Sequence, residues 1–171
     1  MIKLLEITKY NPKFRDEDGA YIPEEWTGRH QIGQKFDGTV LTEKNYLEIE
    51  DKYVQAAQAF AISTNQSKFT ISSTEIHDRS EFRKHRIPRD FIKNGRTFDY
   101  MYLSLFIRLA LRDITYYKIR FGNFAAMWIL DEMYMMVRDN RPGGVDPDAF
   151  NLNDLFYRDV SDRVVDELYS I

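Results

Sequence analysis

Over residues 2–8 (IKLLEIT) Ile2, Leu4 and Glu6 fall on one face and Leu5 and Ile7 on the other, which predicts a short strand. From 10 to 40 the pattern breaks up. Asn11-Pro12, Asp18-Gly19, Pro23, Gly28, Gly33 and Asp37-Gly38 punctuate a long irregular stretch. In a compact domain such a stretch is packed or functional rather than idle. A helix is expected from Thr42 to about Ser63. Thr42 is a capping residue type, and Tyr46, Ile49, Tyr53, Ala57 and Phe60 recur at steps of three and four to draw one apolar stripe. Residues 68–76 (KFTISSTEI) alternate again and predict a second strand, a candidate partner for the first. The stretch 79–96 contains Pro88 and Gly95 and reads as a short helix with loops. Phe98 to about Arg120 reads as one long central helix, stopped by Gly122. Asn123 then caps a helix over about 124–138, although the Tyr, Ile and Val content of YYKIRF and MYMMV also suits strands. Asn153 or Asp154 opens a final helix carrying Leu155, Phe156, Val160, Val164 and Leu168. These elements predict an α+β, mainly helical single domain over 1–171, with a small strand pair packed on several helices.

Composition narrows the function classes. The 171 residues suffice for one hydrophobic core, and the aromatic share of 15% is high enough to supply both core and binding surface. With no cysteine, a disulfide framework, thiolate zinc sites and cysteine catalysis are excluded. Glu6 and Lys9 interrupt the first apolar run too early for a signal peptide, and no run approaches a membrane span, so a soluble, cytoplasmic protein is expected. The net charge of −3 does not suggest a general nucleic-acid binder, but its distribution is uneven. Residues 79–96 hold seven Lys/Arg against Glu81 and Asp90, while 146–171 hold seven Asp/Glu against Arg158 and Arg163. The two segments could pair within the fold, or one could steer a charged partner.

Candidate chemistry is sparse. Glu75, His77 and Asp78 are close in sequence, but no two-histidine metal spacing accompanies them, and a solvated strand end explains them as well. Gly28, Gly33 and Gly38 match no phosphate-binding loop, and no nucleophile elbow is present. The basic run around His85, with Phe82 and Phe91, supports an RNA-binding or ribonuclease reading as the alternative. On the predicted last helix Asp159, Asp162 and Asp166 are spaced i, i+3 and i+7. They form an acidic stripe that is either plain surface charge or a surface able to dock in a basic cleft. No catalytic residue, metal site or cofactor site emerges.

The first third of the chain adds a resemblance. KLLEITKYNPKFRDEDGAY is followed by Glu25-Trp26-Thr27, Ile32-Gly33, Phe36, Gly38, Leu41-Thr42, Tyr46-Leu47, Glu50 and Tyr53. Over about residues 1–57 this resembles immunity proteins encoded beside bacterial polymorphic toxins, including contact-dependent growth inhibition systems. Arg29-His30 departs from that pattern, and the remaining two-thirds does not share it. The resemblance implies a cytoplasmic, non-enzymatic, cofactor-free toxin inhibitor that covers the active site of a cognate toxin domain, expected to be a nuclease, without binding nucleic acid or membrane. The expected partner-binding surfaces are the C-terminal stripe Asp159, Asp162 and Asp166 with Tyr157 and Tyr169, and then the loop Asp16, Glu17 and Asp18.

Overall fold

The computed structural model describes residues 3–88, 90–150 and 154–162. Its centre is a seven-stranded sheet in the order β5-β4-β6-β7-β8-β1-β9, and every pairing is antiparallel. The strands are β1 (Leu4–Thr8), β4 (Lys68–Ile76), β5 (Thr97–Asp99), β6 (Thr115–Phe121), β7 (Ala125–Leu130), β8 (Tyr134–Asp139) and β9 (Phe156–Asp159). A separate ribbon pairs β2 (Lys35–Phe36) with β3 (Thr39–Val40) across Asp37-Gly38, where both φ angles are positive, as a two-residue hairpin turn requires. The α-helices of the described residues are α1 (Glu43–Ser63), α2 (Arg79–Lys84) and α3 (Leu103–Leu111). None is long and apolar enough to cross a membrane.

The fold is therefore not mainly helical, and the expected small strand pair is a large sheet. The predicted helix from Phe98 to Arg120 divides into β5, α3 and β6. Helix α3 stops at Arg112, and Asp113 turns the chain with φ at +54°. Beyond it Thr115, Tyr117, Ile119 and Phe121 are buried on one face of β6, while Tyr116, Lys118 and Arg120 alternate onto the other. The predicted helix over 124–138 is the hairpin β7–β8, and Gly122 lies in the β6–β7 turn rather than at a helix end. Strand β4 matches its predicted bounds, but it pairs with β5 and β6 rather than with β1. Tyr157 and Asp159 lie in β9 rather than on a helix, so the acidic stripe does not form there.

Helices α1 and α3 cover one sheet face. Tyr46, Tyr53, Ala57 and Phe60 of α1 pack with Leu103, Phe106 and Ile107 of α3 on Leu5, Ile7, Phe69, Ile119 and Met127. On the opposite face Leu4, Ala126, Trp128, Met136 and Val160 form a second, smaller cluster. The Thr42 hydroxyl accepts the Asn45 N–H at 3.1 Å, which caps α1. Glu50 occupies a core position of α1 at 0% exposure. It is held by Arg112, whose Nε and Nη2 donate at 2.6 and 2.8 Å, and by Arg108 of α3. A fully buried carboxylate is tolerable only with such partners.

Candidate functional site

Strand β1 delivers the chain to one end of the sheet, where residues 9–34 fold into a fastened loop rather than a loose one. Lys9 is buried, with Nζ at 2.6 Å from Glu25 and over the rings of Tyr10 and Trp26 at 4.2 and 4.1 Å. Burial lowers its pKa, and Glu25 only partly restores it. Tyr21 donates from its hydroxyl to Glu25 at 2.8 Å, and burial followed by that carboxylate pushes its pKa up to about 12. The ring of Tyr10 touches those of Tyr21 and Tyr134. From α1, the Tyr53 hydroxyl accepts the Lys9 N–H at 2.7 Å and donates to the Met133 carbonyl at 2.5 Å.

On this base stands a hairpin. The Ile22 N–H donates to the Phe14 carbonyl at 2.9 Å, and Arg15 and Tyr21 pair across it. The tip is a turn in which the Gly19 N–H reaches the Asp16 carbonyl at 3.0 Å. The Asp16 and Ala20 backbones close behind it, with the Ala20 N–H also bound by the Asp16 carboxylate at 2.8 Å. Gly19 has φ at +84°, the left-handed conformation that closes this kind of turn and favours glycine. Arg15 braces the tip from below, donating to the Gly19 carbonyl at 2.7 Å and the Tyr134 hydroxyl at 3.0 Å. Asp16, Glu17 and Asp18 are all exposed. Beside them stand Phe14 at 51% and Ile22 at 69% exposure, two large apolar side chains left in water. The site is a preorganised acidic tip flanked by two apolar anchors.

Of the sequence candidates, the loop Asp16, Glu17 and Asp18 is brought together as one surface. The C-terminal group is not. Asp159 pairs with Leu5, three residues back along β1 from the Thr8–Phe156 pair beside the loop, so it lies toward the other end of the sheet. Its carboxylate binds the backbone and hydroxyl of Ser161, which lower its pKa. Asp162 is exposed but outside any named strand or α-helix, and Tyr157 is 43% exposed on the edge strand. Asp166 and Tyr169 lie outside the described residues. Arg158 bonds to Glu6 at 3.0 Å, and no ion pair among the described residues joins the basic segment 79–96 to the acidic segment 146–162. Phe14, Ile22, Arg15 and Lys9 escaped the sequence reading. The available signal was Asp18-Gly19 between Phe14-Arg15 and Tyr21-Ile22, a hairpin pattern.

A polar cleft of about 570 Å³ opens at the same sheet end, lined by His30, His77, Asp113, Asp131 and Glu132 among others. His77 Nδ1 lies 2.6 Å from Asp113, a geometry that also serves to orient a catalytic base. Here Nε2 faces Glu75 at 3.8 Å, so both ring nitrogens look toward carboxylates. The Asp113 hydrogen bond raises the pKa of His77, which favours the imidazolium over a free base. Asp78 is occupied in capping α2, accepting the N–H groups of Ser80 and Glu81. Among the described residues no group of His, Asp and Glu is arranged to hold a metal ion. His77 with Asp113 and Glu75 therefore forms an ion clamp between the end of β4 and the turn before β6. No protein-family model matches the chain, and comparison with curated proteins and with solved structures finds no match.

Proposed function

We propose that this chain is a non-enzymatic immunity protein that binds a cognate bacterial toxin domain in the cytoplasm and covers its active site, with a nuclease as the toxin. The observation that carries the reading is the hairpin from Phe14 to Ile22. A nuclease cleft is lined with cations that bind phosphates, and an acidic tip of fixed shape can occupy it in place of the substrate backbone. Charge raises the rate of encounter, while apolar side chains desolvated at the centre of an interface slow dissociation. The bracing by Arg15, Asp16 and Gly19 reduces the entropy lost on binding, because the tip is ordered beforehand. The N-terminal residues of the family resemblance supply the fastening: Lys9, Tyr10, Tyr21, Glu25, Trp26 and Tyr53.

The test is co-expression with the product of the adjacent reading frame. That product alone should arrest growth, and this chain should relieve the arrest. The double variant Glu17→Lys, Asp18→Lys should slow association at low salt by about tenfold or more. Full protection and unchanged association by the charge-reversed hairpin would remove the proposed surface. An adjacent product with no toxicity would remove the immunity reading itself.

A further inference from the structure

A second surface lies across the same end of the sheet, at α2. Ile76, Phe82 and Ile87 line a notch of about 440 Å³, within the size range of small-ligand pockets, and Arg79, Arg83 and the single acid Glu75 stand on its rim. The floor is built: Phe82 is 2% exposed, and Arg86 turns the chain through φ +54° before Ile87. The rim is costly. Arg79 and Arg83 are i and i+4 on one helix face, where like charges repel. Arg79 also sits in the first turn, where the helix dipole disfavours a cation. Both are exposed, and among the described residues neither has a carboxylate at ion-pair distance. Of the nearby acids Glu81 pairs with Lys84, while Glu75, on the rim itself, faces His77 at 3.8 Å.

We infer that this notch binds an acidic peptide segment of a partner protein. One aliphatic or aromatic side chain fills the floor, and carboxylates on either side meet Arg79 and Arg83. Charge complementarity sets the occupant, because the rim offers two arginines outside any ion pair against one carboxylate, Glu75, around an apolar seat. A single-stranded nucleic acid fits less well. Its bases need exposed rings to stack on, and the Phe82 ring is buried. The inference is independent of the hairpin reading, since it concerns a different surface and partner chemistry.

The experiment is selection of random dodecapeptides displayed on phage against the immobilised full chain, followed by titration of the enriched peptides. Enriched sequences should carry an apolar residue flanked by Asp or Glu. The double variant Arg79→Glu, Arg83→Glu should weaken them by about tenfold or more and select Lys- or Arg-flanked peptides instead. Ile87→Ser should weaken both sets, while Glu17→Lys, Asp18→Lys should change neither. Thermal melting of each variant at the wild-type temperature separates lost binding from lost fold. The inference is overturned by enrichment without acids, by no enrichment, or by binding that survives the charge reversal. It is equally overturned if oligouridylate displaces the peptides and binds the notch more tightly. Concentration-dependent self-association that Glu17→Lys, Asp18→Lys abolishes would assign the notch to a second copy of the chain, and so would also overturn it.

Discussion

Glu50 and Lys9 are both charged residues taken out of water, but they are answered in different ways. Glu50, at 0% exposure in α1, meets two guanidinium groups, from Arg108 in α3 and Arg112 just after it. Lys9, at 8% exposure under the hairpin, meets one carboxylate, Glu25, whose side chain is 37% exposed, and two aromatic rings. Truncating Glu50 strands Arg112 at a helix interface and leaves Arg108 with Asp51 alone. Truncating Lys9 leaves a half-solvated carboxylate that Tyr21 still binds. The first ion group holds the helices together. The second orients a loop, and its charge opposes folding at neutral pH, because Lys9 binds its proton less tightly in the fold than in the unfolded chain.

Substitutions can break or sharpen that contrast. Glu50→Ala should cost about 3–5 kcal/mol in chemical denaturation, the usual loss when one partner of a buried ionic group is removed. A loss below about 1 kcal/mol would show the α1–α3 contact to be apolar in substance. Phe14→Ser with Ile22→Ser should leave stability within about 0.5 kcal/mol, since both side chains are exposed. The pair should cost about 2 kcal/mol or more in toxin affinity by calorimetry. Lys9→Met should change stability by less than about 1 kcal/mol in either direction, because an apolar chain of similar length suits the aromatic cage. A loss equal to that of Glu50→Ala would erase the distinction between the two ion groups.

The smallest effect concerns His77. Its pKa is raised in the fold by Asp113, so the proton it gains stabilises the native state. That contribution is fully present below its unfolded value near 6.5 and is lost as pH rises through the higher folded value. The melting temperature of wild type should therefore exceed that of His77→Gln at about pH 5, and the gap should narrow toward about pH 8. A gap that is constant with pH would remove the clamp between β4 and the turn before β6.

Strand β1, helix α1 and strand β4 were legible because each carries its own period and, for α1, its cap. The sheet was not. In β7 apolar residues lie on both faces, since Ala126, Trp128 and Leu130 pack opposite Met127 and Ile129. A strand apolar on both faces shows no clean alternation and imitates a buried helix. The turns that decide the matter use left-handed Asp113, Glu132 and Met133, and only Asp113 is a residue type enriched there. At the candidate site the acids of the Asp16–Asp18 tip were visible in sequence. Their apolar neighbours Phe14 and Ile22 were not, because a lone apolar residue in a loop is unremarkable until its exposure is known.

The position of β1 has a consequence for synthesis. Residues 4–8 are made before every other strand of the sheet described, yet their neighbours in it are residues 134–138 and 156–159. Such distant pairing must close a loop that contains β2 to β7, so the sheet cannot be completed until β8 and β9 are made. Leu4, Leu5 and Ile7 travel exposed until the hairpin of β7 and β8 exists to receive them. A chain cut short after β7 would lose its scaffold for the hairpin, because Tyr134 and the Met133 carbonyl lie beyond the cut.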